Sequence, residues 1–196
     1  MALSFILRGF RRLLSPSGRD TVEQFWPFAL TVFLGTTAIG MVTAMAMMMP
    51  VMAKLQTYAL AHPDQADVVT GTGGTQITFH GPLPPDMAID LSGFMGLIAA
   101  QAIVTILLLA AAVARRLHDS GRSGLLGLVP VLLLINAFRL MAPTFQHFGA
   151  AFPDGTQFLT MFGSNLAYLA ALGGLIFLLT RPSQSGANRY GPPPAI

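Results

Sequence analysis

The chain has no cysteine, one lysine and one tryptophan, and only 10% of its 196 residues are Asp, Glu, Lys or Arg. The missing cysteine removes disulfides, thiolate metal sites and a thiol nucleophile, and leaves the redox compartment undecided. The shortage of charge is more restrictive. A soluble domain of this length carries about a quarter charged residues, and a chain with so few cannot cover its own surface in water. Apolar residues fill the place: 53% are hydrophobic and the mean hydropathy is +0.63. Disorder, collagen-like and coiled-coil architectures are excluded by the same bias and by scattered glycines. A water-soluble globular enzyme is excluded with them.

Four apolar segments are long enough to cross a bilayer, at about 25–52, 91–114, 124–141 and 158–180, since a span needs roughly 18 to 20 residues and the third is near that minimum. Only helix satisfies the backbone in lipid. The fold class is therefore all-α: a polytopic bundle of four transmembrane helices within 24–180, a basic amphipathic segment at 1–23, an outer loop at 53–90 and a tail at 181–196. The net charge of +3 matters less than its distribution. Arg8, Arg11, Arg12, Arg19, Arg115, Arg116, Arg122, Arg181 and Arg189 fall on one side of the spans, and only Lys54 and Arg139 on the other. By the positive-inside rule both termini face the cytoplasm, and the basic residues orient the protein in a membrane rather than bind nucleic acid. Ala44-Met45-Ala46 looks like a signal cleavage site, but the apolar stretch before it is longer than a signal core, so an uncleaved anchor is expected.

Leu3, Ile6, Leu7, Phe10, Leu13 and Leu14 share one helical face, with Arg8, Arg11 and Arg12 opposite. This pattern describes a helix lying flat in the membrane interface. In the outer loop Val68–Thr70 and Thr75–Phe79 flank Gly71-Thr72-Gly73-Gly74, which predicts a small hairpin. Such a hairpin needs something to lean on. The second outer loop carries Phe145, Phe148 and Phe152 and is expected in the interface.

The densest stretch is Arg115-Arg116-Leu117-His118-Asp119-Ser120-Gly121-Arg122-Ser123-Gly124. Cations at a helix C-terminus suit its dipole, Asp119 is placed to pair with either neighbouring arginine, Gly121 permits positive φ, and Ser123 is an N-cap for the next helix. Nothing in a turn demands the imidazole of His118. The stretch closely resembles the Arg-Arg-Leu-His-Asp-Thr/Ser-Gly-Arg-Ser-Gly signature of the bacterial inner-membrane family called domain of unknown function 805, the YhaH-like proteins. Gly18-Arg19 followed by Phe25-Trp26, and Gly186-Ala187-Asn188-Arg189-Tyr190-Gly191-Pro192, are similar to that family's other two motifs, with Gln24 and Ala187 as departures. The resemblance implies a compact membrane bundle and brings no established activity, cofactor or catalytic residue.

All three motifs fall on the basic side. Arg19, Arg115, Arg116, His118, Asp119, Arg122, Asn188 and Arg189 are therefore candidates for one surface that holds an anionic lipid headgroup or phosphorylated ligand, because guanidinium matches phosphate bidentately. The competing reading is a self-satisfied turn. No nucleophile elbow, metal-binding HExxH or phosphate loop accompanies His118, so no catalytic residue, cofactor or metal is expected. Met41, Met45, Met47, Met48, Met49 and Met52 read as packing or lipid contact rather than a copper site. Gln101, Asn136, Arg139 and Asn165 share the outer half of the spans and suggest an intramembrane polar layer, acting as glue between helices. On the fourth span Gly163, Ala167, Ala170, Ala171 and Gly174 form small-residue ridges for close packing. The expected function is a non-catalytic membrane scaffold or accessory protein. Its expected partners are anionic membrane lipid, a second copy or another membrane protein. The alternative is a small-solute transporter or channel subunit acting as an oligomer.

Overall fold

The computed structural model of the chain describes residues 2–81, 92–146 and 154–194. Helix α1 (Ala2–Arg11) leads into α2 (Val22–Ala61), a hairpin of β1 (Ala66–Gly71) and β2 (Gly74–Phe79), and α3 (Ser92–Asp119). A short 3₁₀ turn (Gly124–Gly127) then opens α4 (Leu128–Gln146), and α5 (Gly155–Thr180) completes the helices. Four of these are long and apolar enough to cross a membrane. The second outer loop, with Phe145, Phe148 and Phe152, lies outside the described side chains.

The first spanning helix starts where its sequence caps it. Thr21 has extended backbone and its hydroxyl accepts from the Gln24 N–H, while the Gln24 side chain accepts from the Thr21 N–H. This capping box satisfies two of the orphan donors at the helix start. The helix then runs 40 residues, past the boundary expected near Met52. At 1.5 Å per residue it measures about 60 Å, roughly twice the hydrocarbon thickness. The extension holds because Ala53–Ala61 contains good helix formers and finds a packing partner. Leu55 and Ala59 are buried, and so is Ala66 at the start of β1. Tyr58 stacks on His62 and donates to the Gln65 side chain at 2.7 Å. The protruding end of α2 is the support that the hairpin needs. The strands pair antiparallel with Thr70 opposite Thr75 and Gly71 opposite Gly74.

Within the bilayer the helices associate in two antiparallel pairs. In the α2–α3 pair, Gly40 is buried so closely that a Cβ there would sit 1.7 Å from Gln101 Oε1, and the Thr105 hydroxyl donates to Thr36 Oγ1 at 3.0 Å. In the α4–α5 pair, Asn136 Nδ2 donates to Ser164 Oγ at 3.0 Å. The partly buried stripe of α5 runs through Met161, Ser164, Asn165, Tyr168, Ala171, Leu172 and Leu175. The small-residue ridge expected to pack within the chain lies mostly elsewhere: Gly163, Ala167, Ala170 and Gly174 are exposed, and only Ala171 turns inward. Larger and polar residues on the adjacent face make the contacts instead.

The hydrophobic core sits at the end that carries the arginines. Phe25, Phe28, Ala29 and Val32 of α2, Ala112 and Leu117 of α3, and Leu179 of α5 form one cluster. Helix α1 docks beside it through Gly9, whose missing side chain admits the Phe28 ring. Phe10 meets the same ring edge-on at 5.2 Å between centroids. Leu3, Leu7 and Phe10 keep an exposed apolar stripe on the outer side of this helix, which ends at Arg11 so that Leu13 and Leu14 fall in the turn after it.

Candidate functional site

Arginine and aspartate are among the residues least often buried without partners. Yet Arg19, Asp20, Arg115, Arg116 and Asp119 are all 5% exposed or less, and Arg116 and Asp119 are fully enclosed. They form two adjoining clusters where the segment preceding α2 and the C-terminal ends of α3 and α5 meet.

The first cluster is organised around Asp119. Arg19 Nε donates to its Oδ1 at 3.0 Å and Arg116 Nη1 to its Oδ2 at 2.8 Å. Arg116 continues to α5, with Nε donating to the Leu179 carbonyl at 3.0 Å and Nη2 to the Arg181 carbonyl. Arg19 reaches the tail, donating to the carbonyls of Gln184 at 2.6 Å and Gly186 at 2.7 Å. The second cluster is organised around Asp20. Arg115 Nε donates to its Oδ2 at 2.6 Å, and Arg115 Nη1 donates to the carbonyls of Arg12 and Ser15 at 2.8 and 2.5 Å. Arg8 and Arg12 reach the other Asp20 oxygen at 3.3 and 3.5 Å.

Three buried guanidiniums face two buried carboxylates, so one positive charge lacks a full counterion. Backbone carbonyls supply the difference. Those of Leu179 and Arg181 cluster at the C-terminal end of α5, where the helix dipole is negative and carbonyls have no partner along the helix. Among the described residues no buried side-chain nitrogen or oxygen is left without a hydrogen bond.

His118 lies in a third, shallower arrangement. Its Nδ1 is 3.3 Å from the Gly18 carbonyl, and its ring stacks on Tyr190 with centroids 3.7 Å apart and planes 9° from parallel. Asn188 fixes the tail over it: Nδ2 donates to the His118 carbonyl at 3.0 Å and Oδ1 accepts from the Tyr190 N–H at 2.9 Å. The Arg189 guanidinium sits 4.7 Å from the Tyr190 ring centroid. Arg122 is exposed. Its N–H closes a Schellman turn onto the Leu117 carbonyl at 2.9 Å, with Gly121 at φ +73°; this is the left-handed cap that ends α3.

The structure thus brings together Arg19, Arg115, Arg116, His118, Asp119 and Asn188, and leaves Arg122 and Arg189 on the rim. Residues 115–119 are the last helical residues of α3, and the turn proper begins at Ser120. Sequence reasoning missed Asp20, Gln184 and the role of Gly186. Asp20 had a readable signal, because it is one of only three acids beside nine arginines on that side. The four intramembrane polar residues are not joined in one layer. Gln101 serves the α2 interface, Asn136 the α5 interface, and Asn165 donates to the Met161 carbonyl in its own helix at 3.0 Å. Arg139 is exposed near the far end of α4. The cause is pairing: Gln101 faces Gly40 in one helix pair and Asn136 bonds to Ser164 in the other, which keeps the two apart.

Four apolar helices, a small extramembrane hairpin and a buried guanidinium network at one end define a multi-pass membrane protein. Its network joins the three segments that carry the sequence motifs. The family described as protein of unknown function DUF805 matches residues 13–192, and the chain belongs to that family. No curated protein and no solved structure matches it.

Proposed function

We propose that the chain is a non-catalytic scaffold of a bacterial inner membrane, with both termini cytoplasmic, whose basic end engages anionic lipid through its rim. The observation that carries this reading is the division of labour among nine arginines. Arg19, Arg115 and Arg116 spend their donors on carboxylates and carbonyls inside the protein. Arg11, Arg122, Arg181 and Arg189 are exposed around them. With Asp20, Glu23 and Asp119 as the acids of this end, the balance is 9 − 3 = +6. The exposed apolar stripe of α1 lies on the same end and suits the acyl boundary just below the headgroups. The buried network supplies rigidity, and the rim supplies the attraction.

The test follows from this division. Each arginine near an anionic surface contributes about 1 kcal/mol, so replacing Arg11, Arg122 and Arg189 together by Gln costs on the order of a hundredfold in phosphatidylglycerol retention. Native mass spectrometry of the purified protein measures it. The triple variant should melt like the wild type, since none of the three side chains is buried. Equal retention of phosphatidylglycerol by both proteins refutes the rim. Arg116→Gln does not serve this purpose, because it disturbs the buried network itself.

A further inference from the structure

At the opposite end of the α4–α5 pair, Arg139, Leu140, Asp154, Thr156, Gln157, Thr160 and Met161 line an open cavity of about 370 Å³. That volume lies within the range of small-molecule sites. Among the described residues that line it, Arg139 brings the positive charge and Asp154 the negative one. Arg139 makes no hydrogen bond or ion pair with any other described residue, and no ion pair joins it to Asp154 across the shared space. Asp154 is the N-cap of α5, with Oδ1 accepting from the Gln157 N–H at 2.7 Å. An ionised carboxylate has about four lone-pair sites, so capping leaves acceptor capacity toward the cavity. The remaining lining divides by chemistry, with Thr156, Gln157 and Thr160 as polar groups of α5 and Leu140 and Met161 as the apolar wall.

From this arrangement we infer that the cavity binds a zwitterionic phosphoethanolamine headgroup, presented by a membrane phospholipid of the leaflet on that side. The phosphate takes the Arg139 guanidinium in bidentate fashion, aided by the donors and positive dipole end of the first turn of α5. The primary ammonium donates to Asp154. The acyl chains leave along Leu140 and Met161 into the bilayer. Three selectivities follow from charge and hydrogen bonding. A purely anionic headgroup meets the Asp154 carboxylate without an ammonium to neutralise it. A choline headgroup brings positive charge but no N–H to donate. A free headgroup lacks the chains that contact the apolar wall. This site is independent of the arginine rim at the other end, so either assignment can fail alone.

The experiment uses the full chain purified from detergent into nanodiscs of matched acyl composition. Bound lipid is counted by native mass spectrometry after exchange among phosphatidylethanolamine, phosphatidylcholine and phosphatidylglycerol. Counted in the Arg11→Gln, Arg122→Gln, Arg189→Gln background, which removes the arginine rim, phosphatidylethanolamine should be retained about tenfold over the other two. Arg139→Gln should lower retention of phosphatidylethanolamine and phosphatidylcholine together. Asp154→Asn keeps an equally good N-cap, so α5 stays intact while the preference for ethanolamine over choline disappears. Equal retention of the three lipids in that rim-free background overturns the inference, as does an unchanged preference when Asp154→Asn is added to it. Displacement by soluble glycerophosphoethanolamine at the lipid's own affinity overturns the assignment to a membrane lipid.

Discussion

Replacing Asp119 by Asn tests the buried network most directly. The carboxylate accepts one charge-assisted bond from Arg19 and one from Arg116, and all three side chains are 1% exposed or less. Asparagine preserves the volume and one acceptor oxygen. Its amide nitrogen, however, points a donor at a guanidinium that is itself only a donor. One hydrogen bond is lost, and two buried cations face each other without their shared anion. Removing one partner of a buried ion pair costs about 3–5 kcal/mol, because the remaining charge stays desolvated. For a chain of this size each kcal/mol shifts the midpoint by roughly 2–4 °C, so the drop is on the order of 10 °C. The internal control is the His80–Asp67 pair on the hairpin. It is as short, at 2.9 Å, but its side chains are 53% and 65% exposed. Such surface pairs contribute under about 1 kcal/mol, and His80→Ala should leave the melt unmoved. Thermal melts of both variants in one detergent decide the matter. If Asp119→Asn melts within about 2 °C of His80→Ala, burial is not what gives this network its strength.

Gly9→Val should lift α1 from the protein, since a Cβ there would lie 2.3 Å from the Phe28 ring carbons; overpacking of this kind costs about 1–3 kcal/mol, and amide exchange confined to Ala2–Arg11 would register it. Gly121→Val places a branched side chain at φ +73° with Gln184 Oε1 2.5 Å from its Cβ. A melt lowered by at least 1–2 kcal/mol equivalent is expected, and an unchanged melt would remove the turn from the argument. A reporter active only in the cytoplasm should give signal when fused after Ile196 and none when inserted at the Thr72–Gly73 turn; the reverse pattern sinks the assigned orientation.

The spans, the N-terminal helix and the hairpin were legible because each is written in a local period: long apolar runs, 3.6-residue spacing, alternation around glycines. The end of α2 was not, since Ala53–Ala61 has no span-like hydropathy and depends on a partner at Ala66. The motifs nominated Arg19, Arg115, Arg116 and Asp119 for one surface, yet their local spacing implied pairing within the turn. Only Arg116 obeys it. Arg115 pairs with Asp20, 95 residues away, and Arg19 with Asp119, 100 residues away. Nor does any residue pattern announce that carbonyls of α5 will act as counterions. The exposure of the Gly163–Gly174 ridge and the separation of Gln101 from Asn136 have one origin. Depth in the membrane follows from counting along a helix, whereas facing follows from which helices pair.

The buried network also imposes an order on biosynthesis. Arg19 leaves the ribosome well before its acceptors at Gln184 and Gly186, which are 165 and 167 residues behind it. At 5–20 residues per second the interval is roughly 8 to 33 seconds. Throughout it the guanidinium must remain hydrated beside the membrane that receives the helix following it. The cavity that finally encloses Arg19 cannot close until the last span is seated and the residues after it have folded back. A chain arrested before Gln184 would carry all four spans and still present a hydrated cation where the finished protein presents none. Folding of the segment that follows the last span is thereby converted into the removal of a cation from the surface.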